Sequence, residues 1–205
     1  MSEQPLPARP KMTIAEYLDF EEAAETRHEY DDGDIVDMSG GSYESSTIEN
    51  NLAGELRNRL RGNPCRPHGT NLKVRISRAR KYRYPDALIV CEPVQFDPDD
   101  RRKHSILNPR AVFEILSPST EKRDRTTKFD DYRSIDGFEE YVLISQTTLR
   151  AESYYRGLDG TWQFDVQVGL EATLRVKSVG IDLPLGELYL GVTFPPGEEE
   201  QPPAV

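Results

Sequence analysis

Residues 111–121, Ala-Val-Phe-Glu-Ile-Leu-Ser-Pro-Ser-Thr-Glu, read as a strand, a tight turn and the start of a helix. From Ala111 to Ser117 the run is apolar on both sides of one acid, Glu114, as expected of a strand covered on both faces. Pro118 ends it, Ser119 or Thr120 offers a cap, and Glu121 suits the positive end of a helix that continues to about Ser134. A carboxylate within such a strand needs a partner, because an unpaired buried charge costs several kcal/mol.

A second acid stands 28 residues earlier, where Tyr84-Pro85-Asp86 leads into the apolar run Ala87-Leu88-Ile89-Val90-Cys91. Two carboxylates on neighbouring strands suit Mg2+ or Mn2+, hard cations that take one or two carboxylates and complete their shell with water and substrate phosphate. The helix after Glu114 carries Asp124, Lys128 and Tyr132 at four-residue intervals, hence on one face, and that face can point Lys128 toward the two acids. Metal, carboxylates and a cation are the ingredients of phosphodiester hydrolysis. Each residue also has an ordinary reading. Asp86 after a proline is a common strand entry; Asp124 and Lys128 make a common helix-surface ion pair.

Outward from this centre, Thr13 and Glu16 have capping-box spacing and open a helix from about Ile14 to Ala24. Glu29-Tyr30 and Ile35-Val36 flank Asp31-Asp32-Gly33-Asp34, a hairpin turn. Ser46 and Glu49 form a second capping box before Ile48, Leu52, Leu56 and Leu60, with Gly62 as the stop. Asn71 to Ser77, Asp86 to Cys91, Glu140 to Ser145 and Arg150 to Tyr155 read as strands. Trp162, Phe164, Val166 and Val168 alternate as in a half-buried antiparallel strand, whose aromatics are better explained by the core than by base stacking. The C-terminal third reads as a meander without catalytic content. Together these make an α/β (α+β) sandwich with a mixed sheet, helices and antiparallel hairpins; no glycine-rich phosphate loop points to a nucleotide fold. One domain at 12–192 is expected, between Pro-rich tails at 1–11 and 193–205.

The chain of 205 residues carries a net charge of -10, which by itself argues against nucleic acid. Its distribution argues the other way: residues 55–133 hold 19 of the 26 basic residues against 11 acidic ones. Arg75, Arg78, Arg80, Lys81 and Arg83 run straight toward Asp86 with Tyr82 and Tyr84 interleaved, a candidate phosphate-binding stretch or, equally, a solvated charged loop. No apolar stretch is long enough for a membrane span and no signal peptide is visible, which predicts a cytoplasmic protein. Cys65 and Cys91 lack metal-ligand spacing and are expected to be buried reduced thiols. His28, His68 and His104 are scattered and are expected in loops or on the surface.

Tyr84-Pro85-Asp86, Phe113-Glu114-Ile115-Leu116-Ser117-Pro118-Ser119-Thr120, then Asp124, Lys128, Tyr132 and Glu140-Tyr141 together resemble the Uma2 family (DUF820) of PD-(D/E)XK, restriction-endonuclease-like proteins. The resemblance runs from about Thr13 to Gly191 and includes Met38-Ser39-Gly40 and Leu183-Pro184-Leu185. It implies a restriction-endonuclease-like mixed-sheet core and a Mg2+- or Mn2+-dependent endonuclease acting on DNA, with Asp86 and Glu114 as metal ligands. It further implies that Lys128 is the superfamily's lysine moved onto the following helix, and that Glu29 is an additional acid. The superfamily places its lysine two residues after the glutamate, where this chain has Leu116, so Lys128 or, as a substitute, Lys73 must serve. Relatives often begin the main helix with a histidine near the position of Ser45, where this chain has Ser45-Ser46. Those two departures support the alternative, a catalytically impaired nucleic-acid-binding or interaction module on the same fold. Exposed strand edges make a homodimer the expected assembly.

Overall fold

The computed structural model describes residues 11–38 and 40–194. The expected tails fall almost wholly outside them, as does Ser39.

Thr13 caps α1 (Ile14–Ala23) reciprocally: its hydroxyl accepts from the Glu16 N–H, while the Glu16 carboxylate accepts from the Thr13 N–H at 2.8 Å. β1 (His28–Asp31) and β2 (Asp34–Asp37) form the expected hairpin, with Asp32 and Gly33 at positive φ in its turn. α2 (Tyr43–Arg59) buries Ile48, Leu52 and Leu56 along one face. It starts before the Ser46–Glu49 capping box. Ser42 is the N-cap, accepting from the Ser45 N–H at 3.1 Å, and Ser46 already lies inside the helix. With hydroxyls at 42, 45 and 46 the spacing to Glu49 alone picks the wrong one.

β3 (Cys65–Gly69), β4 (Lys73–Ile76), β5 (Lys81–Arg83), β6 (Ala87–Cys91), β7 (Ser105–Ile106) and β8 (Pro109–Leu116) follow. After β8 the chain enters α3 (Glu121–Arg123), a π turn (Asp124–Lys128) and α4 (Phe129–Arg133), one helical run at the predicted place. β9 (Glu140–Ser145), β10 (Arg150–Arg156) and β11 (Trp162–Val168) are a meander, and β12 (Thr173–Val176), β13 (Ile181–Pro184) and α5 (Leu185–Leu188) complete the fold.

The main sheet has the order β11-β10-β9-β8-β6-β3, and β8 and β9 are its parallel pair, joined across by the helical run. A second sheet, β2-β1-β5-β4-β7, and the hairpin β12-β13 stand beside it. Side chains of β8 alternate between two cores. Ala111, Phe113 and Ile115 pack with α2 and with Leu174, Leu183 and Leu188, whereas Val112 and Leu116 pack with Tyr132 and Tyr141. Glu114 has the parity of Val112 and Leu116, so it faces the helical run.

Three expectations change here. Cys65 and Cys91 lie opposite each other on β3 and β6 and are joined in a disulfide, a pairing made possible by an unforeseen strand β3. His28 is a buried β1 residue whose ring bonds the Glu21 carboxylate at 2.9 Å. On β11, Trp162 packs with Phe129 in the core as expected, but Phe164 and Val168 are exposed because β11 is an edge strand.

Candidate active site

β6 and β8 are antiparallel with Ala87 opposite Phe113, so Asp86, one residue before the ladder begins, comes opposite Glu114. The Ile115 N–H donates to Asp86 Oδ2 at 2.6 Å, which fixes that carboxylate, while Oδ1 accepts no hydrogen bond among the described residues. Glu114 is only 2% exposed. Lys128 Nζ donates to its Oε2 at 2.8 Å and the Tyr132 hydroxyl to its Oε1 at 3.3 Å. Lys128 also lies 2.9 Å from Asp124 Oδ1, an ion pair whose angle is not that of a hydrogen bond, so this buried oxygen has no hydrogen-bond partner. The stripe Asp124, Lys128, Tyr132 thus faces the acid for which Leu116 offers no counter-ion; Leu116 itself is core.

Burial pushes the Glu114 carboxyl well above its ordinary range, with Asp86 and Asp124 adding to the rise against Lys128. Asp86 is pushed up to about 6, again by burial first; the Ile115 N–H and Lys128 pull it back, and Glu49 and Asp124 raise it. Lys128 goes the other way. Burial disfavours its charge, but Glu114, Glu29 and Asp124 outweigh burial and hold it protonated. An ammonium has donors and no acceptor, so Lys128 cannot take a proton from water.

These groups line a cleft of about 570 Å³ between the main sheet, the start of α2 and the start of the helical run. Ser42, Ser45, Ser46 and Glu49 line it from α2, Ser117 to Thr120 from the turn after β8, and Asp37 and Met38 from the end of β2 and just beyond, with Arg27, Arg123 and Gln146 also on its wall. Arg27, Arg123 and Gln146 carry no signal in the sequence, and Glu49 carries only that of a helix cap. Gln146 arrives because β9 runs parallel to β8 with Ser145 beside Leu116, so both chains leave the sheet at the same end.

Glu29 reaches the cleft wall but is committed: Arg83 and Arg123 both donate to its Oε2, and the Tyr84 N–H to its Oε1 at 3.2 Å. Lys73 is excluded as the substitute lysine. It lies under the rings of Tyr17 and Tyr84 and lines a different pocket with Glu21 and Asp100. The stretch from Arg75 to Arg83 is not a free basic face either. Arg75 pairs with Asp97 and Asp99, Arg78 with Asp136, Arg80 with Asp32, and Lys81 with Asp31 and Asp131. Arg83 is 0% exposed and is held by Glu29, Asp31 and Asp131. Each member of the stretch meets an acid distant in sequence, in largely buried pairs at Arg75, Lys81 and Arg83 and in exposed ones at Arg78 and Arg80.

A family model described as "Putative restriction endonuclease" matches residues 14–186. The chain belongs to the Uma2 family. Two uncharacterized Synechocystis sp. proteins are also similar to this chain. The first, slr1290, is 34% identical over 186 residues, covering 90% of this chain and 95% of that one. The second, sll1609, is 29% identical over 170 residues, covering 83% and 95%. A crystal structure from Anabaena variabilis, described as a putative nuclease belonging to DUF820, superposes with a TM-score of 0.70 at 17% identity, over 87% of this chain and 97% of that one. At that identity the likeness is one of fold. The family description and the shared fold point to a restriction-endonuclease-like nuclease. Among the described residues no helix is long and apolar enough to cross a membrane.

Whether a divalent cation fits is a question of charge. Asp86, Glu114 and Asp124 face a single lysine, and Asp124 Oδ1 lacks a hydrogen bond. Among the described residues no group of three or more His, Cys, Asp or Glu is arranged as a metal site. Mg2+ needs only one or two carboxylates, and Asp86 with Glu114 meets that requirement.

Proposed function

We propose that this Uma2 protein is a divalent-metal-dependent nuclease that hydrolyses phosphodiester bonds of DNA. The observation that carries the reading is the excess of carboxylate over cation at the floor of the cleft, around Glu114 and Lys128. Asp86 and Glu114 would hold Mg2+ or Mn2+. When bound, the cation polarises the scissile phosphate and makes a water acidic enough to attack.

The chain's own groups have separate tasks. Lys128 keeps Glu114 oriented and, held protonated, keeps N–H bonds available to orient the water or to stabilise charge developing on phosphate oxygen. Tyr132, its hydroxyl also kept protonated by burial and Glu114, steadies the other oxygen of Glu114. Arg27 and Arg123 supply positive charge at the cleft wall for the strand. The open edge of β11 is where two copies would pair as a homodimer, which sedimentation velocity tests.

The deciding experiment is cleavage of supercoiled plasmid and labelled single strands with Mg2+, Mn2+ or EDTA, beside Glu114→Gln and Lys128→Met. Cleavage is expected with metal only, falling at least about 100-fold in either variant. Calorimetric titration with Mn2+ should give binding to the wild type and none to Glu114→Gln. If no substrate is cut while DNA still binds, the protein is a binding module.

A further inference from the structure

Resting on the nuclease reading, we propose that the substrate entering this cleft is single-stranded DNA, and that Tyr43 is the platform on which one of its unpaired bases stacks.

Tyr43 is the first residue of α2 and is 75% exposed, more than any other aromatic residue among those described. It follows Ser42 directly and precedes Ser46 by three residues, and both of these line the cleft. Residues three apart are neighbours on a helix surface, so Tyr43 lies next to the cleft wall, on the solvent side of the residues that line it. Exposing it gains nothing for the fold. An aromatic face beside a catalytic cleft is the device by which single strands are held irrespective of sequence.

Charge argues in the same direction. Duplex DNA is held through phosphates along two backbones, which takes a broad face of unpaired Lys and Arg. Here Arg75, Lys81 and Arg83 are held in largely buried ion pairs, Arg78 and Arg80 sit in exposed pairs away from the cleft lining, and the net charge is -10. What remains at the cleft is narrow. Arg27 bonds only neutral acceptors, the Thr70 carbonyl at 2.6 Å and Asn71 Oδ1 at 3.3 Å, so its charge is available to a phosphate. Arg123, paired with Glu29, is a partial second. One or two phosphate contacts and one stacked base describe a flexible single strand. The depth of Glu114, 2% exposed, asks the same flexibility of the backbone that must reach it.

The test is fluorescence anisotropy with a labelled 20-mer single strand and the duplex of the same sequence, in EDTA to prevent cleavage, followed by cleavage of both with Mn2+. The single strand is expected to bind about 10-fold or more tightly than the duplex, and Tyr43→Ala to lose about 10-fold or more of that binding. Tyr43→Phe, which keeps the ring face, should bind as the wild type does. So should Phe96→Ala, which removes an exposed aromatic that does not line the cleft. Equal or tighter duplex binding, no binding of either, or wild-type binding by Tyr43→Ala each overturns the proposal. Preferential single-strand binding without cleavage removes the nuclease reading and leaves the strand preference standing. Duplex cleavage at the single-strand rate does the reverse.

Discussion

Two buried charge clusters lie side by side in this molecule and differ in their balance of charge. Around Arg83, three cations (Lys81, Arg83 and Arg123) meet three carboxylates (Glu29, Asp31 and Asp131), and the geometry is that of direct ion pairs. Around Glu114, the carboxylates of Asp86, Glu114 and Asp124 share one lysine, and Glu49 adds to the negative field on Asp86. A balanced cluster holds the second sheet to the helical run and asks for nothing more. An unbalanced one is unfavourable for folding and persists where a cation from outside completes it. Burial is common to both clusters; what differs is their net charge.

The comparison breaks most visibly at Arg83. Arg83→Met removes the central cation and leaves Glu29 with Arg123 alone and Asp131 with Lys81 alone as counter-ions, so three buried or half-buried carboxylates face two cations, which should cost about 3 kcal/mol of stability. Urea denaturation measures it, and a loss below about 1 kcal/mol would mean that the balanced cluster is not what holds these elements together. The unbalanced cluster should respond with the opposite sign. Asp86→Asn keeps an oxygen for the Ile115 N–H and removes a repelled charge, so it should raise stability by about 1–3 kcal/mol while abolishing metal-dependent cleavage. Addition of Mn2+ should then raise the melting temperature of the wild type and leave that of Asp86→Asn unmoved.

How much of this contrast is legible in the sequence follows from how local each signal is. Strand, turn and helix around Glu114 can be read because apolar run, Pro118 and capping residues are contiguous, and Asp124, Lys128 and Tyr132 fall on one face by helix periodicity alone. The partner of Glu114 is therefore legible from residue spacing. The partners of Arg83 are not, since Asp31 and Asp131 lie 52 and 48 residues away from it, and only the order of strands in the second sheet and the packing of the helical run bring them together. A basic stretch in sequence says nothing about which acids will meet it. The disulfide escapes notice for the same reason: Cys65 and Cys91 become partners only once β3 pairs with β6. Gln146 enters the cleft by parallel pairing of β8 and β9, again a property of topology and not of its own neighbours.

Acid sharpens the comparison further. Burial raises the Asp31 carboxyl, but Arg83 and Lys81 outweigh it and leave the group below its ordinary range. A lowered native pKa gives stability that is fully present above the unfolded value, about 3.9, and is lost as pH falls through the native one. The penalty of Asp31→Asn should therefore be full at pH 7 and shrink below about pH 4. Melting curves of wild type and variant at both pH values test this, and a penalty that persists undiminished at the lower pH would assign the role of Asp31 to its shape and not to its charge.

The smallest effect belongs to a pair outside both clusters. Arg78 bonds Asp136 at 3.0 Å, but the two side chains are 69% and 90% exposed. Water at that exposure competes for both charges, and ordering two mobile side chains offsets most of the attraction, so Arg78→Ala should change stability by less than about 0.5 kcal/mol. Single-strand binding should be unchanged too, since Arg78 is not among the residues lining the cleft. A stability loss above about 1 kcal/mol would show that exposed pairs in this stretch share in the Arg83 network, and the boundary drawn between structural and solvent-facing charge would have to move outward.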